Sequence, residues 1–512
     1  MTPRFLDLTT HERRTVTAGV MVGIFLAAME STVVATAMPT VVASLGGLDV
    51  YSWVFSSYLL TSTVTVPLWG KFSDLYGRRP FYLVGISLFL LGSVACGLSQ
   101  TMTQLILFRG LQGLGAGAVL PLGLTIIGDI YPLEARARMQ GLFSGVWGVA
   151  SILGPFLGGL LTDHFSWRWV FFVNVPVGII AFFIIGRFLR EPVRDRSGSG
   201  AVDFLGGAVL MVAIVVLLLG VMDSGVNGQW RLGLLAAALV GFVVFSQIER
   251  RAEDPMIPPD LFRNRIFLAS FVTGLLVGMA MFGAISFIPL FVQAILGTDA
   301  TAAGSVLTPF MLAWVTCSIF GARLLLHLRV RAIILTGGVA LSVGFLLLTR
   351  LGIGSARPEV MVGMTIAGAG MGLIMAPLLI AVQTTVPKSQ LGVATSVTML
   401  SRTVGGAIGV GLLGAVMATM LQRNLLSLLA GTAEVKLKAF IQNPEVLLQP
   451  TVRAGLPPAI LDGLRGALAE ALAGAFLVGF VIALLALVSA FLLPEGLARD
   501  HAFEGATVSR RR

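Results

Sequence analysis

The sequence predicts an all-α integral membrane protein, and three observations predict it. Apolar residues make up 56% of the 512 residues, charged residues only 12%, and the mean hydropathy is +0.92. A water-soluble fold has no interior large enough to hide that much apolar surface, and the charged share is about half the usual ~25%. The apolar residues are gathered into long runs separated by short polar stretches. These runs lack the alternation of barrel strands, and open strands leave their backbone unsatisfied in lipid, so the runs are helices.

A run of about 20 apolar residues crosses ~30 Å of hydrocarbon. Such runs lie near 15–37, 52–70, 81–98, 105–128, 139–161, 169–188, 203–222, 231–248, 267–295, 302–322, 331–350, 359–383, 392–421 and 471–493, which makes fourteen expected spans. Lys and Arg placement orients them. With the N-terminus inside, the inner segments collect Arg4, Arg13 and Arg14, then Lys71, Arg78 and Arg79, then Arg136 and Arg138, then Arg187, Arg190, Arg194 and Arg196, and further clusters to Arg512. The outer segments hold fewer, and most of those fall in one long segment, 422–470. Both termini are therefore expected in the cytoplasm. The net charge of +10 follows from this topology and does not point to nucleic acid.

Between the second and third runs stands Gly70-Lys71-Phe72-Ser73-Asp74-Leu75-Tyr76-Gly77-Arg78-Arg79-Pro80. Charges so close to hydrocarbon are costly unless they face water or one another. The spacing predicts a tight loop, with Gly70 and Gly77 giving the backbone its freedom to turn. The pattern resembles the signature loop of the major facilitator superfamily, read as G-x-x-x-D-x-x-G-R-[RK]. A worn second copy runs from Gly321 to Arg329, with Leu325 at the acidic position and Leu328 at the second glycine. Gly154-Pro155-x-x-Gly158-Gly159 in the fifth run likewise returns as Gly405-Gly406-x-x-Gly409 in the thirteenth. The resemblance implies two parallel six-helix bundles, 1–200 and 266–512, with two inserted helices and a connector at 201–265. Along essentially its whole length the chain is similar to the fourteen-span drug:proton antiporters.

Glu30 is the one carboxylate deep inside an expected span, about 22 Å along the first helix from Thr15 at 1.5 Å per residue. Burial disfavours the ionised carboxylate, which suits it to exchanging a proton or meeting a cation. The alternative is a structural hydrogen-bonding acid. The resemblance implies an acid at this position, where the family commonly has aspartate, and Ala35 stands where it often has asparagine. Arg109 opens Arg109-Gly110-Leu111-Gln112-Gly113 in the fourth run, similar to the family's R-x-x-Q-G element. A buried guanidinium stays charged and must find acceptors. It either holds the field of a carboxylate and shapes a proton path or ties helices together through carbonyls. The Gly154–Gly159 element resembles one associated with antiporters, and a plain small-residue packing face is its other reading. Asp74, Arg78 and Asp129 are expected to form a charged conformational latch at the cytoplasmic end, with Gly70, Gly77 and Arg79 around it. A solvated surface pair is the alternative.

Met21, Phe25, Trp53, Tyr58, Phe143, Trp147, Phe282, Phe310, Trp314 and Met375 are candidate cavity residues. Methionines and flat rings suit varied lipophilic ligands and quaternary cations, although lipid-facing filler explains any single one equally well. Segment 422–470 carries helical apolar spacing at Leu425, Leu426 and Leu429 and again at Ile460, Leu461, Leu464 and Leu468. This predicts amphipathic helices lying on the outer leaflet, as a cap, a guide for lipidic cargo or a passive decoration.

No G-x-x-x-x-G-K-[ST] phosphate loop occurs, so the chain is not expected to use ATP. Cys96 and Cys317 lie inside apolar runs, and the four histidines lie in tails or loops, giving no disulfide framework, metal site or catalytic triad. No cofactor is expected; protons are the coupling ion. The resemblance implies a proton-coupled exporter of lipophilic, cationic compounds by alternating access, in the cell inner membrane, for which a monomer suffices. Two other readings stand beside it: an exporter of a lipid or amphipathic metabolite, and a non-transporting membrane sensor. An enzyme is the least expected.

Overall fold

The computed structural model describes residues 9–45, 51–190, 203–222, 228–252, 255–298, 300–325, 327–429 and 458–496. All regular structure among these residues is helical. The helices are α1 (Thr10–Leu45), α2 (Tyr51–Tyr76), α3 (Arg78–Leu98), α4 (Met102–Ile130), α5 (Leu133–His164), α6 (Trp169–Phe172), α7 (Asn174–Phe188), α8 (Phe204–Met222) and α9 (Gly228–Glu249). They continue with α10 (Asp260–Arg263), α11 (Arg265–Ala294), α12 (Ala300–Leu324), α13 (Val330–Leu348), α14 (Arg357–Thr385), α15 (Leu391–Leu429) and α16 (Pro458–Ser489). Ten of the helical segments are long and apolar enough to cross a membrane, and 141–150 and 205–221 are shorter apolar stretches. The outward faces are apolar too: Leu91, Leu107, Phe183 and Trp230 are all exposed, as side chains facing hydrocarbon would be.

Several helices start where local hydrogen bonds dictate. Thr9 and Glu12 form a reciprocal capping box, with Glu12 N–H donating to Thr9 Oγ1 at 3.2 Å and Thr9 N–H to Glu12 Oε2 at 3.0 Å. This begins α1 five residues before the apolar run at 15. Thr101 caps α4 and Asn264 caps α11 through side-chain oxygens. The expected sixth span is broken at Val173 into α6 and α7. Pro176 explains the break: it has no N–H for the Phe172 carbonyl, and its ring crowds that carbonyl.

Packing repeats between the two parts of the chain. In the first, α1 packs on α5, both α2 and α3 pack on α4, and α7 packs on α1 and α3. In the second, α11 packs on α15, both α12 and α13 pack on α14, and α16 packs on α11 and α13. Small residues make the corresponding close approaches. A Cβ on Gly92 of α3 would lie 2.5 Å from the Gln112 backbone, and one on Gly344 of α13 would lie 2.6 Å from the Ala367 backbone. The two sets meet where α5 crosses α12 and α2 crosses α15. The pair α8–α9 packs on itself, and α8 touches both α2 and α15.

The expected leaflet helices in 422–470 are corrected for the residues described. Leu425, Leu426 and Leu429 continue α15, and Ile460 to Leu468 begin α16. At 39 residues and 1.5 Å per residue, α15 is about 58 Å long, far more than the hydrocarbon thickness. The apolar spacing that suggested a lipid-facing stripe instead pairs the two extensions: Leu425, Leu464 and Leu468 are buried, and Asn424 Nδ2 donates to the Ala467 carbonyl at 3.2 Å. Residues 430–457 of that segment lie outside the described residues.

Candidate functional site

Two buried charge clusters dominate the first helix set. The deeper one draws on α1, α2, α3, α4, α6 and α7. Glu30 on α1 is 0% exposed and forms an ion pair with Arg109 Nη1 on α4, itself 2% exposed. Asn174 Nδ2, at the start of α7, donates to the other Glu30 oxygen. Arg109 also donates from Nη1 to Gln112 Oε1 at 2.7 Å and from Nε to the Val54 carbonyl at 3.1 Å. Its guanidinium lies 4.1 Å from the centre of the Tyr58 ring, a cation–π contact. Ser93 on α3 closes the network. Its hydroxyl accepts from Asn174 Nδ2 at 2.9 Å and Gln112 Nε2 at 3.2 Å and donates to the Phe171 carbonyl at 2.8 Å.

The arrangement supplies each charge with partners, as a buried ion pair requires. Glu30 and Arg109 are both singled out by sequence; their direct pairing is a fact of the fold. Sequence reasoning missed Asn174 and Ser93. A signal for Asn174 existed: it is an amide inside an apolar run, two residues before Pro176. The helix break that Pro176 imposes puts Asn174 at a helix start, where its side chain meets Glu30. The Asn174 Oδ1 atom is buried without a hydrogen-bond partner, so the network holds one unused acceptor beside the carboxylate.

The second cluster sits at the end of the bundle that carries the 70–80 segment. This segment differs from the expected loop: α2 runs through Tyr76, and only Gly77 separates it from α3. Gly77 has φ 104° and ψ 156°, which an L side chain rarely adopts. Gly77→Ala is therefore expected to destabilise the fold by about 1–3 kcal/mol, read as a lower melting temperature of the purified protein. Gly70 does not supply a turn. It is helical, and a Cβ there would lie 2.5 Å from Ser396 Oγ and 2.9 Å from the Gly392 carbonyl of α15. Its role is close contact between the two helix sets.

Arg78, 0% exposed, pairs with Asp74 and donates from Nε to Asp129 Oδ2 at 3.0 Å and from Nη1 to Ser73 Oγ at 3.0 Å. Asp74 then reaches across the molecule: Oδ1 accepts from Gly392 N–H at 3.0 Å and Oδ2 from Val393 N–H at 2.8 Å. These are amides of the first turn of α15, left without intrahelical acceptors and carrying the positive end of its dipole. Arg79 stands apart and donates to the Gly186 carbonyl at the end of α7.

A residue not singled out by sequence completes this end. Arg136 on α5 donates from Nη1 to the Gln383 carbonyl at 3.1 Å, in the last turn of α14, while Gln383 Nε2 reaches the Leu124 carbonyl at 3.4 Å. A carboxylate thus holds the start of α15 and a guanidinium the end of α14, the favourable sign at each helix end. Arg136→Gln is expected to weaken this contact by about 0.3–2 kcal/mol, measurable as faster labelling of a cysteine placed at Gln383.

The remaining sequence candidates are dispersed. Gly113 presses on the Tyr58 carbonyl. Gly154 and Gly158 are buried in α5, which stays helical through Pro155; the Pro155 and Gly159 surroundings lie outside the described residues. Tyr58 belongs to the Arg109 network. Phe143 and Phe310 are buried in the cores, Phe310 beside Trp314 with ring centres 6.2 Å apart. Phe282 packs against Gly406, and Trp53 is exposed. Met21, Phe25, Trp147 and Met375 are half-buried around those cores.

A multi-pass bundle of apolar helices, with charge networks buried within it and one of them bridging its two parts, is the architecture of a membrane transporter. The chain belongs to the Major Facilitator Superfamily, whose sequence model matches residues 20–410. It is 38% identical over 515 residues to the multidrug transporter protein MdtP of Bacillus subtilis (strain 168), covering 96% of this chain and 95% of that one. It is 36% identical to multidrug resistance protein 3 of the same organism, over 97% and 99% of the two chains. It is also 32% identical to multidrug resistance protein Stp of Mycobacterium tuberculosis (strain CDC 1551 / Oshkosh), over 79% and 75%. Among solved structures, the human organic anion transporter MFSD10 (TETRAN) superposes with a TM-score of 0.61 at 16% identity, covering 92% of this chain and 99% of that one; this likeness concerns the fold alone.

Proposed function

We propose that the protein is a proton-coupled secondary exporter of lipophilic, cationic compounds, working by alternating access with fourteen spans. In this reading residues 1–200 and 266–512 are the two moving six-helix bundles, 201–265 supplies the inserted pair, and both termini face the cytoplasm of a cell whose inner membrane holds the protein. The observation that carries it is the buried Glu30–Arg109–Asn174 network. Adding a proton to Glu30 removes the charge that balances Arg109. An uncompensated buried cation costs about 3–5 kcal/mol, enough to shift a conformational equilibrium by more than a hundredfold. The same proton step thereby drives a rearrangement of α1, α4 and α7, the helices that carry Glu30, Arg109 and Asn174. The multidrug names of full-length relatives support the cargo class.

Asp74 and Arg136 support the second half of the cycle. Together they hold α14 and α15 against the first helix set at the end bearing Arg78, the closed side in this conformation. Opening that side requires their contacts to part.

The test is ethidium efflux from proteoliposomes under an imposed proton gradient. Efflux that stops when the gradient is collapsed supports the proposal. Efflux that continues without a gradient removes proton coupling, and absence of ethidium movement with the gradient present removes the cationic cargo.

A further inference from the structure

A cavity of about 420 Å³ lies between the inserted helices α8 and α9 on one side and α11 and α15 on the other. That volume is within the range of about 300–1,000 Å³ typical of small-ligand sites. Every lining side chain except Ser401 is apolar, and the Ser401 hydroxyl is engaged with the Thr398 carbonyl at 2.9 Å. Such a space has no partners to offer water. Its mouth faces the bilayer. Leu239 lines the cavity yet is 66% exposed, and Val243, one turn further along α9, is exposed as well. Residues 230–249 are long and apolar enough to span the membrane, so hydrocarbon is what meets this mouth.

The inner wall is closed. Leu400 and Val404 of α15 form it, and behind them α15 is pressed onto α11, where a Cβ on Gly405 would lie 2.1 Å from the Leu275 carbonyl. The cavity is therefore an apolar recess bounded on its inner side by α15. We propose that it seats one acyl chain of a bilayer lipid. An aliphatic chain matches the lining along its whole depth, asks for no hydrogen bond, and is present at the mouth at the concentration of the membrane itself. The chain fills the space between the inserted pair and α15, the helix whose first turn Asp74 holds. Because α8 also touches α2, the seated chain supports the region where the two helix sets meet. This inference does not depend on which cargo is exported.

The test uses the full-length protein in phosphatidylcholine vesicles containing a phosphatidylcholine with a diazirine partway along one acyl chain. After irradiation, the labelled peptides are mapped. Adducts are expected on Phe242, Phe271 and Leu275, and Ala238→Trp, which fills the recess, should lower them several-fold while leaving labelling of Leu91 on the outer face of α3 unchanged. Thermal melting and size-exclusion behaviour establish that the variant is folded. Should it not be, Leu239→Trp at the mouth gives the same reading from a residue already exposed. Labelling spread evenly over lipid-facing side chains, or adducts unchanged in a folded variant, overturns the proposal. So does displacement of the adducts by ethidium, which would make the recess a substrate site.

Discussion

Glu30→Gln is expected to abolish gradient-driven efflux of ethidium while leaving a folded protein. The substitution keeps the length of the side chain and removes only its charge. Its amide oxygen still accepts from Arg109, and the unused Asn174 Oδ1 can accept from the new NH₂ once the Asn174 amide turns over, which gives up the Asn174 bond to Ser93. Packing around the site is preserved, so the loss falls on electrostatics: Arg109 stays charged with no counter-ion, costing about 3–5 kcal/mol. The fold should therefore survive with a lowered melting temperature, and the protein should be fixed in the state that protonated Glu30 favours. Efflux from proteoliposomes and ethidium binding by fluorescence separate the two effects. Retained binding with lost gradient-driven efflux supports the coupling role. Undiminished efflux would place coupling elsewhere and leave Glu30 a structural acid.

Asp74→Asn carries the second large effect. Asp74 serves two partners at once, the Arg78 guanidinium and the first-turn amides of α15. Asparagine offers one acceptor oxygen in place of two, turns an NH₂ towards either an N–H or a guanidinium, and removes the negative charge from both. The pair with Arg78 lies within the first helix set, so the part felt only where α2 touches α15 is the loss of the charge-assisted bonds to the α15 amides, about 1.5–3 kcal/mol each. The conformational equilibrium should move away from the closed form at this end by about tenfold or more, at 1.4 kcal/mol per factor of ten. Spin labels at Tyr76 and Arg323, exposed positions near this end on α2 and α12, should report a longer distance in the variant, with turnover reduced. An unchanged distance distribution would show that the Asp74 contacts do not hold the two sets together.

The two effects differ in how far sequence could anticipate them. A carboxylate and a guanidinium inside apolar runs are visible from composition alone, because charge in hydrocarbon is costly wherever the helix lies. The charged 70–80 segment is visible for the same reason, though its conformation is not. An expected loop with two flexible glycines is in fact a helix with a break of one residue at Gly77, and the helical Gly70 exists for contact with Ser396 and Gly392. The ten candidate cavity residues show the limit most plainly. Helical spacing places them on faces, but only packing buries Phe310, exposes Trp53 and gives Tyr58 to Arg109. None of the ten lines the recess beside α9, whose walls are ordinary Leu, Ile, Phe, Val and Ala with one serine, Ser401, and no distinguishing pattern.

What the sequence determined by itself is the membrane-helical class, the positions of the long apolar segments, and the identity of Glu30, Arg109, Asp74 and Arg78 as charges needing partners. These follow from local composition, because a backbone in lipid must satisfy itself within one helix and a charge there must be neutralised. The tertiary structure decided who those partners are. Arg109 lies 79 residues from Glu30, Asn174 lies 144 residues from it, and the amides that hold Asp74 lie 318 and 319 residues away. No local pattern encodes such a pairing. It arises when glycine-mediated contacts bring helices close enough for side chains and helix ends to meet, and that proximity is a property of the packed bundle.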